Sequence, residues 1–167
     1  LSSFAVGAIT LVSVDAAGAP VEVFGSGSVQ LSRSSTFVPT RNPSALLANG
    51  SSTGQVTLVV RDQFGTPIPA GHQVAVTTEP VYSQSSIGGG TITGGTAATD
   101  SRFRLLTTTT GGRIEFTYTA PTLAANQNGS AIVQAAGVDE AGNFTRPIAT
   151  TDGTNDRFTL SGSSGFT

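Results

Sequence analysis

The plainest pattern in the chain is alternation with a period of two. In Arg113-Ile114-Glu115-Phe116-Thr117-Tyr118-Thr119, every second residue is large and apolar, and those between are charged or hydroxylated. That period predicts a strand with Ile114, Phe116 and Tyr118 on a core and Arg113, Glu115 and Thr117 in water. Ala120-Pro121 ends it, because proline has no N–H for a ladder. Gln73–Thr78 alternates in the same way. Thr91–Thr93, between Gly88-Gly89-Gly90 and Gly94-Gly95, reads as a short strand, and Phe103–Thr107 as another. No stretch longer than about ten residues has helical periodicity. Short strands with turn signals at regular spacing predict an all-β sandwich.

The most informative run is Gln55–Gly71. It reads as a strand, a tight turn with Asp62 at its first position and Gly65 at its fourth, and the start of a second strand at Pro67-Ile68. Aspartate caps such a turn by accepting backbone N–H groups, and glycine takes the left-handed position that closes it. Leu11-Val12-x-x-Asp15-x-x-Gly18-x-Pro20-Val21 repeats the pattern of Leu58–Ile68. Asp139-Glu140-Ala141-Gly142, following Ala131–Ala135, is a third copy of the turn. The first two lie too close together to be separate sandwich domains, so they read as one hairpin device reused.

Composition narrows the class. With 167 residues the chain makes one domain, or one domain with extensions, and about 70% of its unfolded surface can be buried without a metal or disulfide. A net charge of −2 leaves no electrostatic footprint for nucleic acid or an anionic membrane. No apolar run reaches the roughly 20 residues of a membrane span. Cysteine is absent, which excludes disulfides and thiolate chemistry. Lysine is absent, which excludes a lysine–asparagine isopeptide crosslink. Methionine is absent even at position 1, which implies a processed start such as follows signal-peptide removal. Low charge with abundant Thr, Ser and Gly implies a secreted protein, extracellular or at the cell surface.

Ala48-Asn49-Gly50, Asp62-x-x-Gly65-x-Pro67-Ile68-x-Ala70-Gly71-x-x-Val74, Gly89-Gly90-Thr91-Ile92, Thr99-Asp100 and Gly112-x-Ile114-x-Phe116-x-Tyr118-x-Ala120-Pro121 follow in order along the chain. With these motifs residues 44–138 resemble the bacterial immunoglobulin-like group 1 domain, the repeat of invasin and intimin. Residues 1–33 and 143–167 fall outside one repeat, and 83–95 and Thr107–Thr110 follow the pattern loosely. The resemblance implies an extracellular, non-enzymatic module serving as spacer, adhesive element or structural subunit, with no shared active site. The expected fold is an immunoglobulin-like antiparallel β-sandwich with additional N- and C-terminal strands. Its expected parts are an N-terminal strand or hairpin extension (1–33), the domain proper (34–142) and a C-terminal strand extension (143–167).

Little in the chain points to chemistry. His72 is the sole histidine. With no cysteine it would need carboxylates as co-ligands for a metal, and it reads as a loop histidine. No nucleophile-elbow motif accompanies it, so a Ser-His-Asp triad is not expected. Asp152-Gly153-Thr154-Asn155-Asp156 spaces oxygen donors as a calcium loop does, making Asp152 and Asp156 weak calcium candidates. The downstream bidentate Glu is missing, and a polar turn explains the same residues. Asn49, Asn128 and Asn143 each open an N-x-Ser/Thr sequon and are glycosylation candidates. No cofactor is expected. Trp is absent and Tyr occurs only at 82 and 118, which weighs against aromatic sugar platforms.

Residues 4–14 are apolar at both alternating sets of positions: Phe4, Val6, Val12 and Val14 in one, Ile9 and Leu11 in the other. Left exposed, such a strand is an aggregation hazard. Either it pairs within its own chain, or it completes the sheet of a neighbouring copy by strand addition. Burying five or six such side chains is worth on the order of 10 kcal/mol, and head-to-tail contacts of that kind build open filaments. The expected function is therefore a secreted structural subunit of a surface filament or adhesive fibre. Its partners would be copies of itself, and host-surface or matrix glycans. The alternatives are a module of a larger adhesin, a polysaccharide-binding accessory module, and a phage or virion decoration subunit.

Overall fold

A computed structural model describes residues 5–14, 20–31, 35–62, 64–139 and 142–162, with the backbone alone for 5–14 and 20–31. Phe4 and the turn Asp15–Gly18 lie outside the described residues. The chain divides into two compact units, one within Ser3–Arg33 and a body from Ser34 onward.

The smaller unit is an antiparallel hairpin of β1 (Ala5–Val14) and β2 (Pro20–Leu31). Its ladder runs from Ala5↔Leu31 to Val14↔Pro20, with irregularities after Leu11 and Ser13. The two separate apolar pieces of the sequence, 21–24 and 29–31, are thus one strand. β1 and β2 form a sheet of two strands, with no third strand among the described residues.

The body is all-β: β3 (Thr36–Asn42), β4 (Ala45–Leu47), β5 (Thr53–Arg61), β6 (Gln73–Thr77), β7 (Thr91–Thr93), β8 (Thr96–Ala97), β9 (Arg104–Thr107), β10 (Arg113–Thr119), β11 (Asn128–Ile132), β12 (Gln134–Val138), β13 (Phe144–Thr150) and β14 (Arg157–Ser161). Nine of these form one curled sheet in the order β7-β10-β5-β3-β13-β12-β6-β9-β8, and β11-β14-β4 form a second. The large sheet curls so that its two halves face each other. Val56, Leu58 and Val60 of β5 and Ile114, Phe116 and Tyr118 of β10 share one core with Val74 and Val76 of β6 and Ala135 of β12. The resulting layers are sandwich-like. β3, β5, β10 and β7 stand in the A-B-E-D order of an immunoglobulin domain, and β6, β12 and β13 in its C-F-G order. A short parallel pairing of β13 with β3, at Ala149↔Thr36 and Thr150↔Phe37, joins the two layers.

β10 buries its residues as its alternation predicts. β6 departs from its pattern: Val74 through Thr77 are all buried. Val74 and Val76 face the main core, while Ala75 joins a second cluster with Phe103, Ala136 and Val138 on the opposite side. The long excursion between β6 and β9 supplies Val81, Ala98 and Phe103 to cover that side, so the strand has no wet face.

The Asp62 turn closes as its residues dictate. Asp62 Oδ1 accepts from Phe64 N at 2.8 Å and Thr66 N at 3.0 Å, and Gly65 N donates to Asp62 O with φ of 78°. The second strand of the expected hairpin is reduced to one bridge, Arg61↔Pro67. Pro67 and Pro69 have no N–H to extend a ladder, and the chain crosses to the other layer as β6. The residues after 142 are woven into the body: β13 lies between β12 and β3, and β14 between β11 and β4.

Candidate functional site

The concavity with the strongest chemical character lies beside β12, where the two layers are joined. It has a volume of about 240 Å³. Phe37, Ile132, Val133, Ala135 and Ile148 give it apolar walls, and Tyr82, Ser83, Asp156 and Arg157 bring polar groups to it. Val133, between β11 and β12, donates its N–H to Asp156 O at 2.7 Å, which fixes the start of β14 against the cavity.

Gln134 holds the opposite rim. Its side chain is buried, accepting from Tyr82 N and Ser83 N (2.7 Å for the latter) and donating to the carbonyls of Glu79 and Ile132. All its hydrogen-bonding capacity is spent on backbone groups, those of Tyr82 and Ser83 among them. The Tyr82 ring leans on Phe103 with centroids 6.0 Å apart, and Phe103 packs on Phe144 at 4.6 Å. Tyr82 itself stays 43% exposed. Desolvation raises its phenol pKa above the usual value, with Asp100 adding to the rise and Arg102 opposing it.

Asp156 is the unusual group, a carboxylate only 4% exposed. Its Oδ1 accepts from Arg157 Nε at 3.1 Å. Its Oδ2 has no hydrogen-bond donor among the described residues, although a carboxylate accepts through both oxygens. Arg157 is partly exposed, and its terminal nitrogens donate to no described residue.

A second concavity, of about 210 Å³, is lined by Glu79, Gly90, Arg102 and Arg104. Its charges are already used within the chain. Arg102 pairs with Asp100 at 2.6 Å, Arg104 donates to the carbonyls of Gly94 and Gly95, and Glu79 accepts from Gly89 N. Nearby Tyr118 stacks on Phe158 at 5.1 Å and donates to Gly89 O. Burial, then the Glu79 charge, pushes the Tyr118 phenol far above its usual range.

The residues singled out by sequence are scattered. His72 is half-buried, and its backbone N–H and C=O engage the buried Thr108 hydroxyl. Asp152 acts as a turn cap: Oδ1 accepts from Thr154 N and Asn155 N, and Oδ2 from the Asn155 amide. Among the described residues no group of three or more His, Cys, Asp or Glu converges as a metal would require. Asn49, Asn128 and Asn143 are all exposed. Asn49 Oδ1 caps the turn to Ser51 and Ser52, and Asn143 donates to Asp139. Val6, Ile9, Leu11, Val12 and Val14 lie on β1, opposite Gln30, Gly27, Gly25, Val23 and Pro20 in the ladder.

Sequence reading missed the pairing of Asp156 with Tyr82 across one cavity. The two are far apart in the chain, and only the β11–β14 and β12–β13 ladders bring them to the same place. Neither a scan of protein-family models nor a search of curated proteins finds a match to this chain.

Proposed function

We infer that the protein is a non-catalytic, secreted structural subunit that assembles with copies of itself through its N-terminal hairpin. The observation that carries this reading is the two-stranded β1–β2 sheet, to which no other described strand adds. A two-stranded ribbon is marginally stable at best in water, and its outer edges carry unpaired N–H and C=O groups. A strand from another copy, or another copy's sheet edge, supplies the missing pairing by β-augmentation. The register adds to this. Alternate pairs Ala5–Leu31, Gly7–Val29, Ile9–Gly27 and Leu11–Gly25 consist only of apolar residues and glycine, whereas Val6–Gln30, Ala8–Ser28 and Thr10–Ser26 each include a polar one. Such a ribbon has a side suited to burial. The contact joins unlike surfaces head to tail, so repetition gives an open filament.

Electron microscopy of the purified chain tests the reading. Filaments are expected, and deletion of residues 1–14 should abolish them. A truncated chain that still polymerises would refute the reading. The resemblance of residues 44–138 to group 1 immunoglobulin-like repeats supports a second reading, in which the body is one module of a longer adhesin and the hairpin belongs to the junction with a preceding module. A full-length gene encoding further Asp-x-x-Gly-x-Pro blocks would favour it.

A further inference from the structure

We propose that the cavity formed by Tyr82, Asp156 and Arg157 binds one pyranose ring of a neutral glycan. The starting point is the Asp156 carboxylate. Its side chain is 6% exposed and lines the cavity, and Oδ2 has no donor among the described residues. Among the described residues only Arg41 Nε is a buried side-chain atom without a partner, so Asp156 Oδ2 is reached by solvent and free to accept from a ligand's donor. Beside it the Arg157 guanidinium, 40% exposed, has terminal N–H groups that no described residue accepts. An acceptor and donors therefore sit next to each other on two residues that line the same cavity.

The charge balance selects the ligand class. Asp156 and Arg157 form an ion pair at 3.1 Å, so the site has no net charge to offer. An anion would meet Asp156, and a cation would meet Arg157. A hydroxyl both donates and accepts. Two neighbouring hydroxyls satisfy the pair at once, one donating to Oδ2 and the other accepting from the guanidinium. The remaining walls, including Phe37, Ile132 and Ile148, suit the C–H face of a sugar ring. At the rim stands Tyr82, 43% exposed and braced by Phe103, in the amphipathic role aromatic residues play at wet interfaces. About 240 Å³ is below the roughly 300–1,000 Å³ of drug-sized sites, which restricts the occupant to one ring with its neighbours outside.

The cavity is lined entirely by residues between Phe37 and Arg157, so this proposal and the assembly reading fail independently. The test is saturation-transfer-difference NMR on the full chain with methyl glycosides of glucose, galactose, mannose and xylose. Sodium glucuronate and methylammonium serve as charged comparisons. Transfer to the ring protons of at least one neutral glycoside is expected. Tyr82→Ala and Arg157→Ala should each weaken its Kd at least tenfold, and Asp156→Asn more. Thermal unfolding of Tyr82→Ala should stay near the parent's, which separates lost binding from lost fold at that position. Deleting residues 1–14 should leave the Kd unchanged. Absence of transfer from all four glycosides would overturn the proposal. So would binding unaffected by both Tyr82→Ala and Arg157→Ala, or equal binding of either charged probe.

Discussion

The hairpin and the body meet the same physical requirement with opposite degrees of completeness. In the body, a nine-stranded sheet curls until β5 and β10 share a core with β6 and β12. In the hairpin, ten- and twelve-residue strands pair only with each other among the described residues. In general, strand length and apolar content do not by themselves make a stable sheet. A sheet needs a second layer or further strands, and β1–β2 is the part of this molecule for which a partner is proposed.

Truncation of the core should separate the two regions most strongly. Phe158 is fully buried and stacked on Tyr118, so Phe158→Ala should cost about 3–5 kcal/mol in urea unfolding of the body. Ile9→Ala should leave that unfolding transition in place. Under the proposed assembly it should instead weaken each subunit contact by about 2 kcal/mol, a roughly thirtyfold rise in the critical concentration for polymer formation. If Ile9→Ala destabilises the body as Phe158→Ala does, the two regions are one cooperative unit and the contrast fails.

A smaller effect is expected at Gly54, where an added Cβ would overlap the Phe158 ring. Gly54→Ala should therefore cost about 1–3 kcal/mol through overpacking, read from the same unfolding curves. Gly27 lies opposite Ile9 in the ladder, and Gly27→Ala should show itself in assembly rather than in the body's transition.

The Asp-capped turns come next. Asp62 Oδ1 receives two backbone N–H groups; Asp139 receives the Asn143 N–H on Oδ1 and the Asn143 amide on Oδ2. Asp62→Ala and Asp139→Ala should each cost about 1–2 kcal/mol. Their equality would show that the turn device is local, since one leads to a layer crossing and the other to the β12–β13 hairpin.

The smallest effect concerns acid. Asp152 has its pKa lowered from 3.8, first by the Asn155 amide and then by the N–H groups of Thr154 and Asn155. A lowered folded pKa means that its contribution is present above the unfolded value and lost as pH falls through the folded one. NMR titration of the Asp152 carboxyl should give a midpoint below 3.8, and Asp152→Asn should remove that step.

Much of the body could be read from the chain. The β10 alternation and the Asp62 and Asp139 turns depend on neighbours in sequence, and the structure carries them as read. β3 escaped notice because Pro39 and Arg41 interrupt its apolar pattern; as a strand paired with β13 only at Thr36 and Phe37, it tolerates a proline beyond them. β6 misled because its second face is covered by Phe103 and Ala98, which reach it from a segment distant in sequence, so nothing within β6 announces the cover. The same long-range folding unites Tyr82 with Asp156, and no local pattern could announce it. Asp152 and Asp156 looked alike in sequence. One is a turn cap whose oxygens are satisfied locally; the other is a buried residue paired with Arg157 that lines a cavity.

Hydrogen exchange of backbone amides, measured across a concentration series of the intact chain, tests the central contrast most directly. Amides of β5, β10 and β12 should be protected at every concentration. Amides of β1 and β2 should exchange rapidly when dilute and become protected as concentration rises. Hairpin protection that is already complete at high dilution, or that never develops, would contradict the account.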